Sequence, residues 1–173
     1  METKNRPVFR YQPNIYESSN VIYQKAICQC CHNEVDAYID AMYCEDDVSC
    51  ICLDCVASGD AAKVFDGEFI QDVEKRVSDP LKTEELLLRT PGYESWQGEY
   101  WLTCCDDYCA YIGSVGTEEL EAMGIADEVF TDYESREFYY KDSRKYLVKD
   151  GSFCGYLFQC LHCGAYHLWI DAS

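Results

Sequence analysis

Closely spaced cysteine pairs are the main chemical signal in this sequence of 173 residues, which contains thirteen cysteines. Cys28 and Cys31 are separated by two residues, and Cys52 and Cys55 repeat that spacing after a gap of twenty residues. When the backbone turns tightly between two such cysteines, both sulfur atoms can face one point, and two turns supply the four ligands of a tetrahedral zinc ion. We therefore predict a first structural zinc site formed by Cys28, Cys31, Cys52 and Cys55.

A second structural zinc site is predicted in the C-terminal half of the chain. Cys160 and Cys163 form another pair with two intervening residues, whereas Cys105 and Cys109 are separated by three. Both spacings fall within the range of zinc knuckles, so we predict that these four cysteines bind a second Zn²⁺. The neighbouring cysteines that could substitute as ligands are Cys30 at the first site and Cys104 at the second.

Other interpretations of the cysteines stay open. A single cysteine is most simply a small buried apolar residue, and a C-x-x-C pair can also be a thiol–disulfide couple. Iron can occupy four thiolates as well as zinc, and a protein with exchangeable metal would be a buffer or sensor. The cysteines left without a predicted role are Cys30, Cys44, Cys50, Cys104 and Cys154. The three histidines, which are more simply polar neighbours of the knuckles than ligands, are His32, His162 and His167.

The sequence offers no positive case for an enzyme. A catalytic zinc ion keeps an open coordination position, whereas four cysteines close the shell. Motifs such as a nucleophile elbow, a phosphate-binding glycine loop or an HExxH helix are missing from the sequence. Acidic residues beside the cysteines, including Asp106 and Asp107, are expected to be solvated charges. A thiol-based redox protein or enzyme that uses cysteines outside the two quartets is the alternative to a binding protein.

Composition narrows the choice of partners. The chain is 48% hydrophobic and 27% charged, as expected of a globular protein, and its formal net charge is -18. Each four-cysteine zinc site replaces four neutral thiols by four thiolates and a dication, which would take this charge to about -22. Such a field repels nucleic acid and anionic lipid but attracts a basic protein. The 15 Tyr, 7 Phe and 3 Trp could supply contact anchors for that partner.

The cysteine content also bears on the compartment. The segment from Met1 to Arg10 is polar and has no apolar core of the length that a signal peptide requires. No run approaches the roughly 18 apolar residues of a membrane span. We therefore expect a cytoplasmic protein whose thiols stay reduced, which favours metal binding over disulfides.

The elements expected around the knuckles are short. Strands are predicted over residues 35–43, where apolar and polar residues alternate, and on both sides of the Cys160–Cys163 pair. Helices are predicted over residues 81–88 and 117–123, and a long one from Asp60 to Val77, in which apolar residues recur every four positions. Residues 1–24 are expected to form an extended arm over the domain.

These elements predict an α+β fold with two zinc-ribbon-like knuckle sites, short β-hairpins and a few helices packed into one compact unit. A single domain over residues 1–173 is expected, with a pseudo-division into a first knuckle half at 25–89 and a second at 90–173.

Three stretches of the sequence resemble the bacterial CbrC family: CLDCVASGDAAKVFDGEF, RTPGYESWQGEYWLTCCDDYCAYIGSVG and GYLFQCLHCGAYHLWID. The resemblance implies that Cys52 and Cys55 lie in the knuckle before a helix, and that Cys105 and Cys109 follow the segment around Trp101. Many family members have histidine where Cys104 stands, so the resemblance leaves the role of residue 104 open. The family is named for tolerance of a DNase colicin, so the resemblance implies a fold and this phenotype but no mechanism. The closed metal sites, the strong acidity and the aromatic residues lead us to predict a binding or adaptor module in bacterial stress or colicin tolerance.

Overall fold

The largest sheet of the computed structural model, which describes residues 6–173, lies in the C-terminal part of the chain. It is antiparallel with the order β9–β10–β11, formed by Ala110–Val115, Phe153–Gln159 and Tyr166–Ala172. Strands β10 and β11 are in continuous register from Phe153 opposite Ala172 to Gln159 opposite Tyr166. The prediction of strands on both sides of the Cys160–Cys163 pair is confirmed.

Four further strand pairs are only two residues long on each side. The antiparallel pairs are β1 (Ala26–Ile27) with β2 (Glu34–Val35), β3 (Tyr38–Ile39) with β4 (Ile51–Cys52), and β7 (Thr103–Cys104) with β8 (Asp107–Tyr108). The parallel pair is β5 (Asp72–Val73) with β6 (Tyr100–Trp101). An isolated hairpin is at best marginally stable in water, so pairs this short depend on packing or on ties between their loops.

The strand predicted over residues 35–43 is broken into two. Val35 pairs with Ala26, whereas Tyr38 pairs with Cys52 and also bridges to Ile22. Because these partners belong to different hairpins, the chain bends between Val35 and Tyr38 instead of continuing as one strand.

Six α-helices and one 3₁₀ helix are formed by the described residues. The helices are α1 (Leu53–Ser58), α2 (Asp60–Phe65), α3 (Pro80–Arg89), α4 (Thr117–Ala122), α5 (Ala126–Glu134) and α6 (Ser143–Tyr146), with the 3₁₀ turn at Ile15–Glu17. Helix α3 begins where the Asp79 carboxylate accepts a hydrogen bond from the Leu81 N–H, with proline at the first helical position. The helices predicted near 81–88 and 117–123 are confirmed as α3 and α4.

The long helix predicted from Asp60 to Val77 is wrong. Helix α2 ends at Phe65 because Asp66 adopts a left-handed conformation, with φ of 46°. The backbone then pairs with Tyr43 through Glu68, and a Cβ atom on Gly67 would lie 2.7 Å from the Tyr43 carbonyl oxygen. The tertiary pairing with Tyr43 therefore overrides the helical spacing of the apolar residues.

Among residues 6–173, two hydrophobic clusters form the core. The larger draws on both halves of the sequence, from Phe9 to Cys160. At its centre, the rings of Tyr93, Trp101 and Phe158 contact one another, with centroid distances of 5.5–5.8 Å. In the smaller cluster, residues of α4 and α5 contact one side of the β9–β10–β11 sheet.

The N-terminal segment contributes to the larger cluster. Phe9, Tyr11 and Ile15 are buried, and the Tyr11 carbonyl accepts a hydrogen bond from the Tyr111 N–H at the edge of β9. Residues 1–5 of the predicted arm lie outside the described residues. Within residues 6–173, no helix is both long and apolar enough to cross a membrane.

Replacing Phe158 by alanine should lower the free energy of unfolding by about 3–5 kcal/mol, because it removes a fully buried ring from the centre of the larger cluster. The matched control is Phe138→Ala: this ring is 78% exposed, so its loss should change stability by no more than about 0.5 kcal/mol. Urea unfolding of both variants with metal present measures the difference. Equal losses would contradict the assigned core.

Candidate metal centres

The first cysteine pair lies in a tight loop between β1 and β2. The Cys28 N–H donates to the Asn33 carbonyl at 3.0 Å, and the His32 N–H donates to the Cys28 carbonyl at 2.9 Å. His32 has a φ of 60°, which reverses the chain after Cys31. These two backbone hydrogen bonds fold the loop so that the Cys28 and Cys31 side chains face the same side.

The second pair is presented by the start of helix α1. Cys52 is the N-cap residue of this helix, and Cys55 lies in its first turn, one turn above Cys52. The Cys52 N–H donates to the Cys28 sulfur at 3.3 Å. The Gln29 side chain joins the two loops, since its carbonyl oxygen accepts from the Cys50 N–H at 2.9 Å.

The four sulfur atoms of the first centre surround a common point. Cys28 Sγ lies 4.0 Å from Cys55 Sγ, and Cys31 Sγ lies 3.9 Å from Cys52 Sγ. All four lie within 4.8 Å of one another. A zinc–sulfur bond of 2.3 Å makes the edge of a ligand tetrahedron about 3.8 Å, so a small contraction of the quartet would accommodate the ion.

The pKa values at this centre differ among the thiols. Burial acts to raise the pKa of Cys28, but the backbone N–H groups of Cys52, Cys31 and Cys30 outweigh it and lower the pKa to about 7. Burial raises the pKa of Cys52 to about 11 and that of Cys55 well above its usual range. One thiolate is therefore favoured before metal binds, and a cation must displace protons from the others.

The second centre contains a knuckle with the same backbone pattern. The Cys160 N–H donates to the Ala165 carbonyl at 2.9 Å, and the Gly164 N–H donates to the Cys160 carbonyl at 3.1 Å. Gly164, with φ of 75°, holds the position that His32 holds in the first knuckle. Burial acts to raise the pKa of Cys160, but hydrogen bonds from the N–H groups of Cys163 and His162 outweigh it and lower the pKa to about 6.

The other half of the second centre is a hairpin with a two-residue turn. Cys104 pairs with Asp107 across β7 and β8, and the turn between them consists of Cys105 and Asp106. Both turn residues have positive φ, 52° and 54°, as a type I′ turn requires. This turn places two consecutive cysteines at the tip of the hairpin.

The quartet at the second centre consists of Cys104, Cys105, Cys160 and Cys163, whose sulfur atoms all lie within 4.8 Å of one another. Cys104 Sγ lies 3.7 Å from Cys105 Sγ and 3.8 Å from Cys163 Sγ. The structure thus brings together the four cysteines expected at the first centre, and three of the four expected at the second.

Cys109 differs from the expectation, since it is outside the quartet and Cys104 stands in its place. Residue 109 lies two positions beyond Asp107, and a strand rises about 3.3 Å per residue, so Cys109 is carried away from the hairpin tip. Its N–H donates to the Leu102 carbonyl, and its side chain is fully buried in the larger hydrophobic cluster. Cys104, expected only as a substitute, occupies the position from which a sulfur atom can reach the quartet.

The two centres differ in exposure. Three of the four cysteines of the first centre are buried, and the fourth, Cys31, is half-buried. At the second centre only Cys160 is buried, whereas Cys105 and Cys163 are exposed. The second centre is therefore open to solutes on one side.

Asp107 is a neighbour of the second centre whose burial the sequence analysis did not predict. Instead of a solvated charge it is a fully buried carboxylate, and it accepts from Tyr11 at 2.9 Å and pairs with Arg10 at 2.5 Å. His162, inside the second knuckle, contacts it through Nε2 at 2.8 Å. Burial acts to raise the pKa of Asp107, but hydrogen bonds led by that of His162 lower it overall. No sequence signal marked it, because its position opposite Cys104 becomes visible only in the β7–β8 hairpin.

The remaining cysteines and histidines lie outside both quartets. None of the thirteen cysteines, all within the described residues, forms a disulfide. The Cys30 thiol contacts that of Cys55 without joining the quartet. His167 contacts Asp132 at 3.0 Å, and His32 is exposed. Four sulfur donors at tetrahedral spacing can hold a metal ion with a closed shell, which suits structural support rather than catalysis.

We expect Cys104→Ser to reduce the bound metal from two ions per chain to one, because it removes a sulfur atom from the second quartet. Cys109→Ser is the matched control and should retain two ions, although burying a hydroxyl will lower its stability. Elemental analysis of the purified variants gives the stoichiometry. If Cys109→Ser loses one ion and Cys104→Ser retains two, then Cys109 is the ligand, as the sequence predicted, and Cys104 is not.

The chain has relatives along almost its whole length. It matches the model of an uncharacterised protein family, UPF0167, over residues 6–172. A UPF0167 protein of Pseudomonas aeruginosa is 34% identical, with 95% of this chain and 96% of the relative covered. UPF0167 proteins of Mycobacterium bovis and Mycobacterium tuberculosis are each 31% identical, with 95% of this chain and 92% of each relative covered. No solved structure matches the chain. The chain therefore belongs to the UPF0167 family.

Proposed function

We propose that this protein binds two zinc ions in structural centres and acts as a binding or adaptor module for a basic protein partner. The observation that carries the metal assignment is the convergence of two cysteine quartets, each with its sulfur atoms within 4.8 Å of one another. The ligands of the first centre are Cys28, Cys31, Cys52 and Cys55, and those of the second are Cys104, Cys105, Cys160 and Cys163.

The architecture supports a structural role for the ions. The hairpins that carry the cysteines have strands of two residues, apart from the β10–β11 hairpin. Structural zinc can contribute on the order of 10–16 kcal/mol of apparent binding energy, which is comparable to the whole net stability of a domain. Since the larger hydrophobic cluster spans both halves of the sequence, residues 1–173 would act as one unit.

The adaptor role is supported by charge and by exposed aromatic residues. The formal charge of -18 would attract a basic partner, and two zinc–thiolate centres would strengthen that field. Many aromatic rings form the core, but several others are exposed and could serve as contact anchors. The exposed aromatic residues are Tyr23, Tyr43, Trp96, Phe138, Tyr139, Tyr140 and Tyr146.

The biological setting of the proposal comes from the sequence resemblance to the CbrC family. It is the support for a role of the module in bacterial stress or colicin tolerance. We also propose a cytoplasmic location, because a reducing compartment keeps the thirteen cysteines available to a metal. The proposal includes no catalytic activity, because both quartets would close the coordination shell of the metal.

Metal exchange at the second centre is a second candidate function. It is favoured by the exposure of Cys105 and Cys163, which leaves two sulfur atoms accessible to a competing ligand. The first centre, with three buried cysteines, would then support the fold while the second buffers or senses metal.

A chelator added in excess should therefore remove one zinc ion per chain rapidly and the other only as the protein unfolds. The measurement is zinc release with a chromogenic chelator, followed together with far-UV circular dichroism. Cys104→Ser is the control, and it should lack the rapid phase because it lacks the second centre. Rapid release from this variant, or simultaneous loss of both ions without unfolding, would contradict the structural role of the first centre.

The adaptor role predicts that immobilised protein retains a basic protein from bacterial lysate at low salt and releases it at high salt, since screening weakens the attraction. An unrelated protein of similar negative charge is the control for non-specific ion exchange. If the two columns retain the same proteins, or if no retained protein is released by salt, the adaptor role is wrong.

A further inference from the structure

A large cleft lies apart from both metal centres. Its volume is about 970 Å³, and it is bordered by the N-terminal segment, the loop at residues 93–96, strands β9 and β10, and helix α4. None of the eight clustered cysteines lines it. A volume of this size is within the range of small-molecule sites.

Four aromatic residues line the cleft, of which Tyr93, Tyr111 and Tyr156 are buried and Trp96 is exposed. Tyr93 stacks on Tyr111 with ring centroids 4.4 Å apart, and Tyr156 lies 5.0 Å from Tyr93. Trp96 lines the mouth with 56% of its surface exposed. The indole N–H of Trp96 donates to the Gly151 carbonyl at 2.9 Å, which fixes the orientation of an otherwise exposed ring.

Acidic side chains dominate the charge of the cleft. Its lining includes Glu17, Glu94, Glu119 and Asp150, against the single cation of Lys149. Glu94 is exposed, and its contact is a hydrogen bond accepted from Ser19 at 2.7 Å. A carboxylate accepts several hydrogen bonds, so Glu94 can accept more from a ligand.

A buried acceptor without a partner borders the same cleft. Gln12 is 0% exposed, and its side-chain N–H donates to the Gly92 carbonyl at 3.0 Å. Its Oε1 atom has no hydrogen-bond partner within residues 6–173. Buried polar groups in folded proteins are nearly always paired. The unpaired Oε1 of Gln12 therefore indicates a hydrogen-bond donor from outside the chain.

We propose that this cleft binds an organic cation, namely an alkylammonium or guanidinium group. Such a group is attracted to the electron-rich face of an aromatic ring, especially that of tryptophan. It also donates charge-assisted hydrogen bonds to carboxylates and can supply the donor that Gln12 lacks. An anion would be repelled by the acidic lining, and a neutral apolar ligand would leave these acceptors unpaired.

Two sources could present this cation: a free amine, or a lysine or arginine side chain of a protein. The second source would give the proposed adaptor a contact point. The cleft binds the cation in either case, so the inference goes beyond the adaptor role and does not depend on it. A failed search for a basic protein partner would leave the binding of small cations unaffected.

The test is titration calorimetry of the metal-loaded protein with N-acetyl-L-argininamide (argininamide below), spermidine and an unstructured peptide that contains one arginine. N-acetyl-L-citrulline amide (citrulline amide below), which is nearly the same shape as N-acetyl-L-argininamide but carries no charge, is the ligand control. We expect argininamide to bind at least about tenfold more tightly than citrulline amide, since charge-assisted hydrogen bonds are roughly twice as strong as neutral ones. Tighter binding of the peptide than of argininamide would indicate a protein source, and the reverse a free amine; both support the cleft.

Two variants locate the binding. Glu94→Gln and Trp96→Leu should each weaken argininamide binding by about five- to tenfold, the loss expected for one charge-assisted contact or one cation–π contact. Glu45→Gln removes an exposed carboxylate outside the cleft and should leave binding unchanged. Circular dichroism and metal content show whether each variant is folded. If Trp96→Leu is misfolded, the result for Glu94→Gln alone decides the test. Failure of all three cationic probes to bind, equal binding of citrulline amide, or equal weakening by Glu45→Gln would overturn the proposal.

Discussion

The structure depends on bringing four thiols to one point at each of two places. Burying thiols is easy, but ionising four of them close together is not, because burial and mutual repulsion raise their pKa values. The fold supplies partial compensation in the form of backbone N–H groups aimed at Cys28 and Cys160. A divalent cation would supply the rest, and its coordination bonds would tie together hairpins whose strands are only two residues long.

The two knuckles show how much of this arrangement local sequence can encode. A pair of cysteines separated by two residues predicts the tight loop and the shared direction of the side chains at both Cys28–Cys31 and Cys160–Cys163. These two features are set by residues within about six positions of one another. The α+β class and the strands around Cys160 were predicted instead from the patterns of apolar residues.

What the sequence did not predict depends on local backbone conformation or on distant contacts. The spacing of Cys109 from Cys105 is the more typical of a zinc knuckle. The turn at Cys105–Asp106 nevertheless brings Cys104 into the second quartet, and only the backbone conformation decides which of these two cysteines can be a ligand. Asp107 is one acidic residue among 32, and its burial is decided by Arg10, Tyr11 and His162, which arrive from both ends of the chain. The spacing of apolar residues after Asp60 fitted a helix, but the backbone there pairs with Tyr43 instead.

The separation of the two quartets along the chain sets an order of assembly. The first quartet lies within residues 28–55, whereas the second is complete only when Cys163 has been synthesised. During synthesis, domains and local units can fold as they emerge, and closing the longer loop between Cys105 and Cys160 costs more chain entropy. The N-terminal knuckles can therefore capture a metal ion while the C-terminal hairpin is still being made. The ribosome can thus deliver a chain whose first quartet is complete before its second half can compete for the same ion.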